Sequence, residues 1–230
     1  MLTADEQANF LKVVAGNWYE PLFCLALLTG LRQGELCALT WDDIDFEAKK
    51  LSVNKTLIYS KNIGEKNASY KCNPPKTEKG NRTISLTDEA IAVLRKQKSQ
   101  CEWLKSQIGT RANLTPVKGF ENLVFYTRMA TPVCERSIVA AIKAALRRIN
   151  KNRAEDEPEF AYFTPHTLRH TFATRCFENG MRPKALQEIL GHNSLELTMG
   201  LYAHVTEEMK RQEMEKVTLS GLPAIGVKLA

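Results

Sequence analysis

The last third of the chain carries Pro165-His166-Thr167-Leu168-Arg169-His170, then Leu190-Gly191-His192, then Leu201-Tyr202-Ala203-His204. Far upstream, Thr29-Gly30-Leu31-Arg32-Gln33-Gly34-Glu35-Leu36 adds another arginine. A guanidinium presents its N–H groups as a planar fork that fits phosphate oxygens. A phenol oxygen can bond covalently to phosphorus. Two arginines, two histidines and a tyrosine are therefore a set able to hold a phosphodiester and attack it. Each piece is common; their order and spacing together point to strand transfer on DNA.

On a helix, residues three and four apart share a face, so His166, Arg169 and His170 converge. An His-x-x-x-His pair also suits zinc, but a zinc protease needs Glu directly after the first histidine. Thr167 stands there, and Arg169 would set a cation against the metal. The types favour phosphate contact by His166 and Arg169, with His170 packed beneath and hydrogen-bonded locally. Arg32 follows an apolar helix at a glycine-bounded turn and begins the next helix, where Glu35 can pair with it.

Those side chains need a scaffold, and 230 residues suffice for one substantial core. Hydrophobic residues make up 43% and charged ones 25%, the ordinary globular range. No apolar run is long enough to cross a bilayer, and Ala4-Asp5-Glu6-Gln7 is too polar for a signal peptide. Cys24, Cys37, Cys72, Cys101, Cys134 and Cys176 are scattered without metal-type spacing and read as single thiols in a reducing cytosol. The net charge of +6 conceals an asymmetry. Residues 1–47 hold two basic and eight acidic side chains, residues 48–153 twenty-two and seven, and residues 154–230 eight and eleven. So basic a middle segment is a footprint for a polyanion.

Helices are predicted from Thr3 to Ala15, with a Thr3–Glu6 capping box, from Tyr19 to Thr29 and from Gln33 to Leu39. The alternation of Leu51, Val53, Lys55, Leu57 and Tyr59 predicts a strand, and Arg82 to Leu86 a second. The lysine-rich residues 60–81 between them fit a long hairpin. Further helices are predicted from Thr87 to Lys105, Cys134 to Asn150, and at 166–179, 183–190, 194–201 and 206–216, with a charged loop from Asn152 to Glu159. The fold class is α+β, mainly α-helical, with a small antiparallel sheet on one edge.

With these strings in hand, the chain resembles the catalytic domain of tyrosine recombinases (phage-type integrases), especially integrases of conjugative transposons. The matching segments are Thr29 to Leu36, Pro75-Lys76-Thr77 before Arg82 to Leu86, His166-x-x-Arg169-His170, Leu190-Gly191-His192 and Tyr202-Ala203-His204, in the family's order. The resemblance implies the recombinase catalytic-domain fold and site-specific DNA recombination, in the integration and excision of a mobile element. It implies that Arg32 and Arg169 clamp the scissile phosphate. Tyr202 is then the nucleophile, forming a 3′-phosphotyrosyl link and releasing a 5′-hydroxyl. Lys76, with Lys71 and Lys79 as rivals on a hairpin of variable length, protonates the departing oxygen. His166 assists proton transfer, His192 donates a hydrogen bond to a phosphate oxygen, and Glu35 orients Arg32. Gly200 departs from the polar residue expected two positions before the tyrosine.

The resemblance further implies that residues 1–218 form the catalytic domain. The apolar tail 219–230 then docks on a neighbouring subunit or packs on its own domain. Core-binding and arm-binding domains, which precede this region in relatives, are expected to be absent from this chain. No cofactor or metal is expected. The expected partners are double-stranded DNA (attachment sites and transposon ends), further copies in a homo-oligomer, a tetramer, on DNA, and an accessory excision protein. The expected location is the bacterial cytoplasm, with the nucleoid. A type IB topoisomerase would share the chemistry. A regulator with a helix-turn-helix at 182–202 would leave Arg32, Arg169 and Tyr202 without a role.

Overall fold

The computed structural model describes residues 1–60, 68–75, 80–108, 117–154 and 157–200, with the backbone at 201–202. Helix α1 (Ala4–Val14) starts where Thr3 Oγ1 accepts from the Glu6 N–H at 3.1 Å and Glu6 Oε2 accepts from the Thr3 N–H at 2.7 Å. Helix α2 (Glu20–Thr29) is apolar on nearly every side, so it is driven to the centre. It packs there against α4 (Asp88–Gln107) and α6 (Pro165–Glu178). Gly30 ends α2 with φ +62°, a left-handed cap. The short α3 (Gln33–Ala38) follows at once.

The predicted strand over 51–59 is two strands in two sheets. Strands β1 (Ile44–Asp45), β2 (Lys50–Val53) and β5 (Arg82–Ser85) form an antiparallel sheet in the order β1-β2-β5. Strands β3 (Thr56–Ser60) and β4 (Ser69–Asn73) pair as a separate antiparallel ribbon. The break falls at Asn54 and Lys55, whose side chains donate to the buried Asp43 carboxylate at 2.8 and 2.7 Å. The period-two pattern runs through this corner unbroken, so hydrophobicity alone does not show it. Strand β4 was hidden in a polar stretch. The hairpin tip at 61–67 lies outside the described residues.

The remaining predicted helices match to within two residues: α4, α5 (Glu135–Lys151), α6, α7 (Pro183–Leu190) and α8 (Leu195–Tyr202). Helix α5 buries Ile138, Ile142, Leu146 and Ile149 while Arg136, Lys143, Arg147 and Arg148 face outward. The core centres on Phe10, Phe23, Leu25, Leu94 and Leu168, with Phe10 edge-on to both Phe23 and Phe163 at 5.1 Å. A smaller cluster, Ala173, Phe177, Leu186 and Leu190, joins α6 to α7. The chain start is pinned to α6, since the Leu2 N–H donates to Thr171 Oγ1 and Arg175 to the Leu2 carbonyl. Among the described residues, no helix is long and apolar enough to cross a membrane. The predicted helix 206–216 and the tail lie outside them.

Candidate active site

Pro165 begins α6, and its first turns bury Leu168 and Thr171 against the core. Arg169 goes in with them and is 4% exposed. Its Nη1 donates to the Gly30 carbonyl at 2.7 Å and its Nη2 to the Leu190 carbonyl at 2.5 Å. Among the described residues no carboxylate pairs with it. Burying a charge without a counter-charge is costly, and burial, aided by the charge of Arg32, pushes the Arg169 guanidinium down to about 9. It remains cationic at neutral pH.

The end of α7 collects all three arginines of the site. The carbonyls of Ile189, Leu190 and Gly191 accept from Arg82, Arg169 and Arg32 at 2.6, 2.5 and 2.9 Å. The last carbonyls of a helix have no partner within it and carry the negative end of its dipole. They suit guanidiniums, and Gly191, left-handed at φ +62°, turns the chain after them. The Leu-Gly-His string thus does most of its work through the backbone.

Arg32 lies at the N-cap of α3. Its backbone N–H donates to Glu35 Oε2 at 2.9 Å and its Nη1 to Oε1 at 2.8 Å. Arg82 grips the same carboxylate from β5, Nη1 to Oε1 at 3.0 Å and Nη2 to Oε2 at 2.9 Å. Burial alone would raise the Glu35 carboxyl. The Arg82 hydrogen bonds and charge, with the Arg32 N–H and side chain, hold it below the usual carboxylate range. Three guanidiniums around one carboxylate leave a net positive centre, and Arg32 keeps a 42% exposed side chain at its surface.

The histidines border that centre as neutral rings. His166 is exposed, and its ring meets that of His170 edge to face at 4.4 Å. Partial desolvation against the protein surface, then Arg169 and Arg32, lowers His166; burial, then His166, the chain amino group and Arg169, lowers His170. Among the described residues, this edge contact stands where a local hydrogen bond of the His170 ring was expected. Burial, then Arg169, Arg32 and Arg82, pushes His192 down to about 4. Its Nδ1 lies 2.9 Å from Thr198 Oγ1 on α8. Tyr202 is the last described position of α8, four beyond Thr198. The two positions share a helix face.

Residues 1–209 match the phage integrase family. The chain belongs to this family. It is 32% identical over 216 residues to a tyrosine recombinase XerC-like protein of Caldanaerobacter subterraneus, covering 92% of this chain and 52% of the relative. It is 31% identical over 229 residues to the transposase from transposon Tn916 of Enterococcus faecalis, covering 94% and 52%. The integrase of transposon Tn1549, solved in complex with transposon right-end DNA, is similar in structure. Its TM-score is 0.75 at 30% identity, covering 94% of this chain and 65% of that one. The chain spans about half the length of the curated relatives it matches.

Of the integrase-type residues expected from the sequence, the structure gathers Arg32, Glu35, Arg169 and His192, with His166 and His170 beside them. It places the Tyr202 backbone on the adjoining helix. Lys76 and its rival Lys79 lie outside the described residues; Lys71 sits on β4 opposite Ile58. Two contributors were missed. Arg82 was read as the start of a strand and of a matching segment but given no role in the site, yet it shares a sheet face with the buried Ile84, and a basic residue on a buried face was the available signal. Thr198 gave no comparable signal.

Proposed function

We propose that this chain is the catalytic domain of a tyrosine recombinase that cuts and rejoins DNA at specific sites to integrate and excise a mobile element. Arg32 and Arg169 hold the non-bridging oxygens of the scissile phosphate and offset charge as the transition state forms. Tyr202 attacks phosphorus, forming the 3′-phosphotyrosyl bond, and Lys76 protonates the departing 5′-oxygen. His166, neutral at physiological pH, moves the proton between tyrosine and phosphate, and His192 donates to a phosphate oxygen. The phosphodiester energy is kept in the tyrosyl bond, so rejoining is the same step reversed.

One observation carries this reading: a buried arginine, Arg169, stands beside Arg32 with carbonyl partners only, among the described residues. Such a centre fits a phosphodiester anion. The exposed basic face of α5 supports double-stranded DNA as the partner. The resemblance to integrases supports a homotetramer on DNA, an accessory excision protein, residues 1–218 as the catalytic unit with 219–230 as a docking tail, and a place at the bacterial nucleoid. The test is single-turnover cleavage of a nicked substrate by Arg169→Ala. A loss of roughly a hundredfold or more, with salt-sensitive DNA binding retained, is expected; unchanged cleavage would overturn the proposal.

A further inference from the structure

Threonine in a helix commonly donates its hydroxyl to the carbonyl one turn back. Thr29, Thr171 and Thr174 all do so here, to Leu25, Thr167 and His170 at 2.6, 2.9 and 3.0 Å. Thr198 does not. It is fully buried on α8, and its hydroxyl lies 2.9 Å from His192 Nδ1, its partner among the described residues.

A buried hydroxyl proton needs an acceptor. The His192 ring is neutral at physiological pH, so only one of its nitrogens carries hydrogen. If Nδ1 carried it, the Thr198 proton would have no acceptor among the described residues. If Nδ1 is bare, the hydroxyl donates to it and the ring hydrogen sits on Nε2. The His192 backbone is fixed as well, since its N–H donates to the Gln187 carbonyl and Gln187 Nε2 to its carbonyl.

We propose that Thr198 is a positioning residue: its hydroxyl, donating to His192 Nδ1, fixes the tautomer in which Nε2–H is the donor offered to the phosphate, and ties the phosphate site to the helix that carries Tyr202. This rests on the recombinase reading for its purpose but not for its geometry. His192 is then a hydrogen-bond donor throughout the reaction, not the base that takes the tyrosine proton. Because Thr198 precedes Tyr202 by one helical turn, one hydrogen bond links the phosphate donor to the scaffold of the nucleophile.

Two readouts test it. Long-range 1H–15N correlation spectra of the 15N-labelled chain report the tautomer directly, with His192→Gln used to assign the signals. Wild type and Thr198→Ser are expected to show His192 as the single Nε2–H form, and Thr198→Val, or Thr198→Ala should the valine variant fail to fold, a mixture. An Nδ1–H ring in wild type, or no change in the variants, overturns the proposal. In single-turnover cleavage of a nicked substrate, Thr198→Val is expected to lose roughly tenfold with DNA affinity unchanged, and Thr198→Ser to restore it. Equal cleavage by all three would refute the positioning role. If wild type fails to cleave both alone and joined to an N-terminal DNA-binding domain, the functional reading falls while the spectra still decide the tautomer.

Discussion

Glu35 and Arg82 meet through two parallel hydrogen bonds, at 3.0 and 2.9 Å, with side chains 7% and 6% exposed. Arg82 touches the Ile189 carbonyl as well, so one guanidinium joins β5, α3 and α7 beneath the proposed phosphate site. Removing one partner of a buried pair leaves the other desolvated and unmatched. Arg82→Leu is expected to lower stability by about 3 kcal/mol, at the low end because Arg32 still faces Glu35. Equilibrium urea unfolding checks it; a change near zero would show that the pair does not hold the site.

Acid should weaken the fold in two separable windows. His192 is lowered in the fold to about 4, against an unfolded value of about 6.5. Between those values the unfolded chain takes up a proton that the folded chain refuses, so stability falls as pH drops through that range. His166 and His170, lowered too, act in the same sense. Glu35 is lowered as well; its contribution is complete above the unfolded value of about 4.3 and lost as pH falls through the folded one. Melting temperature followed against pH should decline from about pH 6.5, and His192→Asn should flatten only the upper part of that decline.

Gly30 occupies a left-handed position that hands its carbonyl to Arg169. A Cβ there would lie 2.3 Å from Phe172 Cδ1 and 3.0 Å from Leu190 Cδ2. Gly30→Ala therefore combines backbone strain with overpacking and should cost about 2 kcal/mol or more. It should also slow cleavage more than it weakens DNA binding, because it displaces an Arg169 acceptor. A fully active, equally stable variant would contradict the packing described.

Gly200 is the opposite case. Among the described residues a Cβ there meets nothing within 4 Å, so Gly200→Ala should stabilise α8 by about 1 kcal/mol. Amide hydrogen exchange across α8 would report it as slower opening. Unchanged exchange would mean that the glycine does not loosen this helix.

Much of this was legible in the sequence, for reasons that particular residues make plain. Capping boxes, apolar periodicity and glycine stops are local signals, so the Thr3–Glu6 cap, the buried α2 and the ends at Gly30 and Gly191 could be read directly. Arg32, Arg169 and the histidines could be picked out as candidates because side-chain type and order carry the chemistry. The corner at Asn54 and Lys55 could not, since it depends on Asp43, eleven and twelve residues away. Nor could the carbonyls that hold the arginines, since any residue supplies a carbonyl. Arg82 and Thr198 stayed hidden for a related reason: each acts through a partner that only the fold brings near.

The central claim is that Tyr202 becomes bonded to DNA. The direct measurement uses nicked duplex carrying an attachment site, without added metal, resolved on a denaturing gel for wild type and Tyr202→Phe, with the chain alone and joined to an N-terminal DNA-binding domain. A covalent protein–DNA adduct is expected from wild type and not from Tyr202→Phe. An adduct that survives Tyr202→Phe, or none from wild type in either form, would contradict the account.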